Sequence, residues 1–348
     1  MRGCLEADVR VSVLDTSPIV QGSTPRQALN DTVDLAVLAD ALGYHRYWVP
    51  EHHGMRGVAS SAPAVLVGHL ANATRRLRVG AGGVLLPSHA PIVVAEQFGT
   101  LAALHPGRID LGLGRAPGGS RSAADAVRPE GERTAKSFRQ QLDELLAYLC
   151  PSPDAPVKAI PVLGGNAPPV WVLGTSVTSA ELAGELGLPY AFAHHLNAAA
   201  AADAMRAYRE RFRPSERAAT PTALVSVSVI AADDDGRAEW LAGSTRLKVL
   251  SRVRGKRILL PSPEDAAAYH YTDDDRADIA ARAGSVLVGG PATVVGRLQA
   301  VLDETGADEL MVTTPVFHHA DRRRSYELVA SVAERLRPGA RRGSGLVG

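Results

Sequence analysis

Histidine occurs in three adjacent pairs along the chain, and each pair follows a short apolar stretch. The pairs are His52-His53, His194-His195 and His318-His319. An imidazole exchanges protons near neutral pH, so a histidine that faces a pocket can serve as a general acid or base. Because consecutive residues of an extended segment point in opposite directions, one member of each pair can face inward. The pairs therefore predict a site for proton transfer.

A metal site built from three inward histidines is the first alternative, because imidazole is a common zinc ligand. The chain has neither a His-x-His nor a His-Glu-x-x-His spacing, and its only cysteines, Cys4 and Cys150, are too few for a thiolate zinc site. We therefore expect no catalytic metal. His52, next to Glu51, is the principal acid–base candidate, and the simpler alternative is a loop histidine that is hydrogen-bonded to the backbone.

Glycines cluster at the ends of two other apolar stretches. Residues 80–83 read Gly-Ala-Gly-Gly, and residues 112–119 include four glycines. Because glycine has no Cβ, Gly82 and Gly83 would let a flat ligand lie directly against the backbone, and a β-bulge is the alternative interpretation. The second cluster is not a G-x-G-x-x-G motif, because position 117 is proline, so it does not indicate a dinucleotide fold.

An anion site is predicted from one arginine and a run of hydroxyl residues. Arg115 follows the fourth apolar stretch, and residues 175–179 read Thr-Ser-Val-Thr-Ser before a predicted helix. Hydroxyls and free N–H groups at a helix N-terminus attract phosphate, and an arginine nearby strengthens the attraction. The alternatives are a solvated surface arginine and an ordinary serine N-cap.

The elements that must position these residues alternate regularly along the chain. Eight short apolar stretches are each followed by a pattern typical of a helix, which predicts an α/β protein with the (β/α)8 TIM barrel fold. In this fold the active site lies where the strands end, and all of the candidate residues follow strands. The predicted strands are residues 9–14, 46–50, 77–82, 108–113, 169–173, 190–193, 223–231 and 309–314.

The first helix shows the local signals on which these predictions depend. It is predicted over residues 25–42, with Thr24 as N-cap, Gln27 completing a capping box and Gly43 just beyond the C-terminus. The apolar residues at helical spacing, which we expect to form its buried face, are Val33, Val37 and Ala41.

Two stretches interrupt the alternation. Residues 114–131 are rich in Gly, Pro, Arg and Ser and are predicted to form a long loop before a helix over residues 132–149. Residues 256–284 are predicted to be an insertion before the last β–α unit and are a candidate lid. We therefore expect one barrel domain over residues 1–336 and a disordered Gly/Arg-rich tail over residues 337–348.

Composition excludes several classes of protein. Hydrophobic residues make up 45% and charged residues 22% of the 348, which is typical of a globular protein. The net charge of +1 gives no general attraction to nucleic acid or to an anionic membrane. No apolar run is long enough to span a membrane and no apolar leader is visible, so we expect a cytoplasmic protein.

Three motifs in order resemble the bacterial luciferase-like flavin-dependent monooxygenases. They are Y-W-V-P-E-H-H at residues 47–53, R-V-G-A-G-G-V-L-L-P at residues 78–87 and G-R-I-D-L-G-L-G-R at residues 107–115. The segment E-L-M-V-T-T at residues 309–314 also fits. The resemblance extends over residues 9–336 and is weakest at residues 120–131 and 256–284.

The resemblance implies a (β/α)8 barrel, often dimeric, that uses reduced FMN as a co-substrate. The FMN would come from a separate NAD(P)H:flavin reductase, O₂ would add at the flavin C4a position, and the resulting peroxyflavin would oxidise a small organic molecule. Loss of peroxide to water must be prevented, for which residues 114–131 and 256–284 are the candidates. Tailoring in secondary metabolism is the implied setting.

The resemblance also implies roles for individual residues. His52 matches the family's acid–base histidine, and Gly82-Gly83 match a non-prolyl cis peptide beneath the flavin ring. Cofactor binding is expected of Glu51, Gly82, Gly83, Arg115, Thr175, Ser176 and Ser179. His53 and His194 are candidates for contact with the substrate, and a second phosphate-binding arginine would be Arg128 or Arg133.

Two positions depart from luciferase itself. Gly114 stands where luciferase has a cysteine near the flavin, so a thiol role does not transfer. Thr175 stands in place of an acidic residue. The alternatives to an oxygenase are an oxidoreductase that transfers hydride with the deazaflavin F420 and a non-catalytic flavin-binding protein.

Overall fold

A closed barrel of parallel strands forms the centre of the molecule, so the predicted (β/α)8 TIM barrel is confirmed. The computed structural model describes residues 9–116, 119–283 and 285–339, except for the side chains of residues 282 and 283. The strands in these ranges are β1 (Arg10–Leu14), β2 (Arg46–Val49), β3 (Arg78–Leu85), β4 (Ile109–Gly114), β5 (Val170–Gly174), β6 (Tyr190–Phe192), β7 (Ala223–Ala231), β8 (Val286–Gly289) and β9 (Glu309–Thr313).

Eight of these strands close the barrel, in the order β1 to β7 and then β9. The first six pair in sequence order, β6 pairs with β7, β7 with β9, and β9 with β1. The eight predicted strands correspond to these eight. β8 is additional: it pairs only with the C-terminal half of β7, from Ser228 to Ala231.

Helices surround the barrel and connect its strands. They are α1 (Pro25–Ala41), α2 (Pro63–Ala73), α3 (Pro91–Leu104), α4 (Arg121–Val127), α5 (Glu130–Arg133), α6 (Phe138–Leu149), α7 (Val177–Glu185), α8 (Ala201–Arg211), α9 (Asp235–Val253), α10 (Pro263–Ala268), α11 (Asp273–Ala283), α12 (Pro291–Thr305) and α13 (His319–Ala333). Short 3-10 helices occur at Leu86–Ser88, Ile160–Val162 and Ala198–Ala200.

The stretch predicted as a loop over residues 114–131 contains the two short helices α4 and α5, so that prediction was wrong in part. Ser120 caps α4 by accepting the amide of Ala123 at 3.2 Å. The following helix, α6, starts at Phe138 and not at residue 132, because Ser137 forms a capping box with Gln140 there. Pro117 and Gly118 lie outside the described residues.

Helix α1 keeps only part of its predicted signals. Thr24 caps it by accepting the amide of Gln27, but the Gln27 side chain donates to Asp31 at 2.7 Å, so the capping box is incomplete. Gly43 has the expected positive φ of 79°. The predicted buried face was wrong, since Val37 is 47% exposed. The side of α1 that packs against the barrel carries mostly smaller residues. Its buried residues are Ala28, Thr32, Leu35, Ala36 and Ala39.

The insertion lies between β7 and β9, before the last strand of the barrel. The predicted range, residues 256–284, contains α10 and α11; α9 precedes it and β8 follows it. Leu260 pairs with Val20, and the carbonyl of Leu260 accepts the amide of Gln21 at 2.9 Å. Thr245 on α9 donates to the carbonyl of Pro315, just after β9, at 2.6 Å. These contacts join the insertion and α9 to loops at the C-terminal ends of the barrel strands.

The barrel interior has an apolar layer above a charged one. Leu14, Trp48, Trp171, Ala191, Leu224 and Met311 form the apolar cluster inside the strands. Nearer the N-terminal ends of the strands lies a set of polar side chains, which we call the floor cluster. Its members are Ser12, Arg46, Arg78, Asp110 and Glu309.

Arg46 connects the floor cluster. Its Nε donates to Glu309 at 2.9 Å and its Nη1 donates to Asp110 at 2.8 Å. The Trp48 indole donates to Asp110 at 3.1 Å, which joins the floor cluster to the apolar layer. Every carboxylate here accepts several hydrogen bonds, as buried charge requires.

The ends of the chain and the cysteines complete the description. Arg337 donates its amide to the Gln299 side chain at 2.9 Å, which places the start of the predicted tail against α12. Residues 340–348 and Cys4 lie outside the described ranges, and Cys150 is exposed with a free thiol. Within those ranges, none of the helices combines the length and the apolarity that crossing a bilayer requires.

Candidate active site

Glu51, just after β2, holds two histidines at the C-terminal end of the barrel. Its Oε1 lies 2.6 Å from His53 Nε2 and 2.7 Å from His89 Nε2, and its Oε2 accepts the amide of Leu85 at 2.9 Å. The side chain is 1% exposed. Burial raises the pKa of Glu51, but the hydrogen bonds from His89, His53 and the Leu85 amide outweigh burial and leave this pKa lowered. Glu51 is thus a buried carboxylate that positions its neighbours.

The His52 ring takes no part in the hydrogen bonds of this cluster among the residues that the structure describes. Its backbone amide donates to the carbonyl of Ser60 at 3.0 Å, but Nδ1 is buried and has no hydrogen-bond partner within the described ranges. Burial lowers the pKa of His52, an effect that the charge of Glu51 opposes and His53 reinforces. The ring is therefore neutral near pH 7. The alternative of a histidine ring bonded to the backbone is not realised.

Gly82 and Gly83, the glycine platform, lie within β3 beside the strand that delivers His52. The peptide bond between them is cis, as predicted. A Cβ on Gly82 would lie 3.0 Å from Trp48 Cε3, and one on Gly83 would lie 2.6 Å from the carbonyl oxygen of Gly112. The pairing of β3 with β4 shifts register between Ala81 and Val84, so the β-bulge alternative is also realised. A side chain at Gly83 would therefore clash with fixed backbone, and one at Gly82 would require the Trp48 and Leu14 side chains to move.

Arg115 follows β4 and is exposed. It makes no hydrogen bond or ion pair to any residue that the structure describes, so its guanidinium is available to a ligand. Of the two alternatives for a second arginine, Arg128 donates to the carbonyls of Pro87 and His89 at 3.2 and 3.0 Å. Arg133 instead pairs with Asp125 at 2.5 Å. Arg128 is therefore the one that contacts the turn after β3.

The N-terminus of α7 follows β5 and uses its two serines for capping. Ser176 caps the helix, and the Ser179 hydroxyl donates to the carbonyl of Ser176 at 2.7 Å and lies 2.9 Å from the Tyr190 hydroxyl. The predicted alternative of an ordinary N-cap is thus realised at Ser176. Thr175 precedes the cap, and its carbonyl accepts the Asn197 side chain at 3.0 Å. The hydroxyl of Ser179 is already engaged by protein groups.

The second histidine pair follows β6 and divides between two environments. His194 is buried, and its Nδ1 has no partner among the described residues. The Nδ1 of His195 lies 2.9 Å from the Ser226 hydroxyl on β7. Burial lowers the pKa of both rings. Trp171 on β5 is also buried, with its indole N–H unpartnered by the described chain.

The third pair lies outside the barrel. His319 begins α13 and its Nε2 lies 2.7 Å from Asp34 on α1. The three histidine pairs therefore do not converge. Within the described ranges no group of three or more His, Cys, Asp or Glu residues is arranged to hold a metal ion.

Two features of the site were not predicted from the sequence: the role of His89 and the partners of Asp15, a residue that the sequence places just after the first strand. His89, the third member of the Glu51 cluster, follows a proline turn, and only its position after β3 could have indicated it. Asp15 after β1 is fully buried, accepts the Tyr47 hydroxyl at 2.5 Å and pairs with Arg322 of α13. The sequence separation from Asp15 to Arg322 gives no local signal for this pair.

The arrangement combines a neutral half-buried imidazole, a platform without side chains and an exposed arginine after β4, the strand that pairs with the one leading to α7. Buried polar atoms usually have partners, so the Nδ1 atoms of His52 and His194, which have none among the described residues, are available to a ligand. A flat heterocycle with an anionic tail suits this set of groups.

Comparisons with known proteins agree with the geometry. The family model described as luciferase-like monooxygenase matches residues 9–309. A luciferase-like monooxygenase of Escherichia coli K12 is 42% identical over 329 residues, which cover 94% of this chain and 98% of that protein. The N-acetyl-S-alkylcysteine monooxygenase of Bacillus subtilis is 34% identical over 330 residues, covering 92% and 97%. The crystal structure of apo-MsnO8 has a TM-score of 0.88 at 38% identity, covering 95% and 99%.

Proposed function

The chain belongs to the luciferase-like monooxygenase family, and we propose that it uses reduced FMN and O₂ to insert one oxygen atom into a small organic substrate. A separate NAD(P)H:flavin reductase would supply the reduced FMN. The observation that carries the proposal is the pair formed by the glycine platform and the unpartnered His52 ring. β2 pairs with β3 through Val49 and Ala81, so both features lie at the same end of neighbouring strands.

The residues present fit FMN. The glycine platform offers bare backbone to the isoalloxazine ring, since a Cβ at Gly83 would meet the Gly112 carbonyl. The phosphate would lie between Arg115 and the first amides of α7, where a helix N-terminus favours negative charge. Thr175 and Ser176 border this position, and Arg128 is the candidate for a second phosphate contact. Reduced FMN would supply the electrons that activate O₂.

His52 is the proposed general base. Because burial lowers the pKa of His52, its ring is neutral near pH 7 and can accept a proton at Nδ1, which has no hydrogen-bond partner among the described residues. Glu51 acts indirectly, because it holds His53 and His89 and fixes the backbone of Leu85. His53 and His194 are the proposed substrate contacts.

The proposed substrate class comes from the name of a relative. The Bacillus subtilis relative is named for its action on N-acetyl-S-alkylcysteines, and we propose thioethers of this kind as the first substrates to examine. Two segments would exclude water from the site. One is the insertion, which is hydrogen-bonded to the loop after β1, and the other is the segment that contains α4 and α5.

Assembly is proposed to be homodimeric. Val65 on α2 is 75% exposed and Leu104 on α3 is 68% exposed. A dimer interface over these two helices would cover both side chains. Sedimentation velocity of the purified protein tests the proposal, and a monomer at micromolar concentration would exclude it.

The test of the function is rapid mixing of anaerobic protein and reduced FMN with oxygenated buffer, followed by the absorbance of oxidised flavin. We expect bound flavin to reoxidise more slowly than free flavin, and His52→Gln to remove the delay. His69→Gln, on the exposed side of α2, is the matched control. Reoxidation at the rate of free FMN would contradict the proposal, and binding of F420 in its place would favour hydride transfer.

A further inference from the structure

Lys248 on α9 is a half-buried lysine in a chain that has few lysines. Only four of the 38 basic residues are lysines. Lys136 is exposed and pairs with Glu144 at 2.5 Å, and Lys158 is half-buried and donates to the carbonyl of Pro153 at 2.5 Å. Lys256 is exposed. Lys248 makes no hydrogen bond or ion pair to any residue in the described ranges.

The ammonium group of Lys248 lies against the loop that follows His52. A Cβ on Gly57 would be 3.7 Å from Lys248 Nζ and 3.6 Å from Leu259 Cδ2. The carbonyl of Gly57 accepts the amide of Ile19 at 3.1 Å, which ties this loop to the one after β1. Lys248 is therefore located where the loops after β1 and β2 meet the insertion.

Helix α9 is fixed at this end of the barrel. Thr245, three residues before Lys248, donates to the carbonyl of Pro315 just after β9. On a helix, residues three apart share a face. The same side of α9 therefore carries both the anchor to the barrel and the lysine.

The charges around Lys248 do not compensate it. Its charged helix neighbour is Arg252, and Arg56 precedes Gly57 in the facing loop. Burial, and after it the charge of Arg252, lowers the pKa of Lys248. The Lys248 side chain is half-buried, and a partly desolvated ammonium with no counter-ion among the described residues favours the binding of an anion.

We propose that Lys248 binds a carboxylate group of the organic substrate. The proposal rests on the proposed function, because it assigns the substrate class at the same barrel end. A carboxylate on Lys248 would anchor the substrate beside the loop that follows His52, and neutral molecules of the same shape would bind more weakly.

The experiment measures the reactivity of each lysine during reductive methylation of the full-length protein, by mass spectrometry of its peptides. The probes are hexanoate and its neutral counterpart hexanamide, each with and without FMN. A bound carboxylate that raises the pKa of Lys248 by one unit would slow its methylation about tenfold. Lys136, Lys158 and Lys256 serve as internal controls.

Protection of Lys248 alone by hexanoate, and not by hexanamide, is the expected result. Equal protection by both probes, or none from either, would overturn the proposal. Protection by FMN and not by hexanoate would also overturn it, because the lysine would then bind the cofactor phosphate. Since no turnover is needed, these results do not depend on the oxygenase reaction.

Two variants complete the test. Lys248→Met keeps the length of the side chain and should abolish hexanoate binding in ligand-observed NMR, whereas Lys256→Met should not change it. Lys248→Arg keeps the charge and should retain binding. A Lys248→Met protein that binds hexanoate as tightly as the unmodified protein would contradict the assignment.

Discussion

Two groups of buried polar side chains differ in how far they are paired: the floor cluster, and the histidines that follow β2 and β6. In the floor cluster, Arg46 bonds to both Asp110 and Glu309, and Asp110 also accepts from Arg78 and Trp48. At the opposite end of the barrel, Nδ1 of His52 and Nδ1 of His194 have no partner within the described chain. Paired buried groups stabilise the fold, whereas an unpaired ring nitrogen after a barrel strand is free to meet a ligand.

The pKa directions show the same contrast. Burial raises the pKa of Asp110, but Arg46 and Arg78 outweigh it, so this pKa is lowered. Burial also raises the pKa of Glu309, and there the attraction of Arg46 does not fully compensate, so the pKa of Glu309 stays raised. At the other end, burial leaves His52 with a lowered pKa and a neutral ring. The pKa of Asp110 is thus lowered by paired arginines, whereas the pKa of His52 is lowered by burial of a ring whose Nδ1 has no partner among the described residues.

Removal of Arg46 should have the largest effect on stability. Arg46→Met leaves two buried carboxylates with less compensation, and loss of one partner of a buried pair costs about 3–5 kcal/mol. Urea unfolding measures the change. Arg121→Met is the control, since Arg121 is 80% exposed in its pair with Glu130 and such pairs contribute about 0.2–1 kcal/mol. Equal losses of unfolding free energy in the two variants would show that the floor cluster stabilises the protein no more than a surface ion pair does.

Replacement of His52 should affect activity and not stability. His52→Gln removes a ring whose Nδ1 has no partner, so the free energy of unfolding should stay nearly constant. Loss of a general acid or base lowers rates about 10²- to 10⁴-fold. Product formed per O₂ consumed, together with a melting curve, separates the two effects. A large fall in melting temperature would show that His52 supports the fold.

The glycine platform should tolerate no added methyl group. In Gly83→Ala the new Cβ would lie 2.6 Å from the Gly112 carbonyl oxygen, a fixed backbone atom. Overpacking of this kind costs about 1–3 kcal/mol, and weaker FMN binding should accompany it. Gly296→Ala on α12 is the control, because its added Cβ would meet nothing within 4 Å. The comparison fails if both variants bind FMN equally well.

The smallest effect concerns pH and His45, which precedes Arg46. Burial, with the charges of Arg46 and Arg10, lowers the pKa of His45 to about 4. Between about pH 4 and pH 6.5, His45 is therefore protonated in the unfolded state and neutral in the folded state. The free energy of unfolding rises as pH increases from about 4 to about 6.5. Because His45 is half-exposed, solvent screening limits the effect to about 1 kcal/mol.

His45→Gln should flatten this part of the profile in unfolding measurements made at several pH values. His270→Gln, a substitution at an exposed histidine, is the control and should leave the slope of stability against pH unchanged. A slope that survives in His45→Gln would assign the pH dependence to other groups.

Much of the architecture was accessible from local pattern. The eight barrel strands, the insertion before the last of them and the cis bond at Gly82-Gly83 were predicted, the last through the family resemblance. Two predictions from local pattern were wrong. Helices α4 and α5 were missed because they are short and lie among Gly and Pro residues. The buried face of α1 was misassigned because the side that packs closely on the barrel carries mostly alanines and not valines.

The sequence by itself determined which residues follow strands, and therefore that Glu51, His52, Arg115 and Ser176 lie at one end of the barrel. Only the tertiary structure decided their partners. Glu51 bonds to His89, 38 positions away, and Arg46 bonds to Glu309, 263 positions away. Periodicity reports the face on which a side chain lies, whereas barrel closure brings distant faces together. Which imidazole is paired and which is left for a ligand depends on that closure.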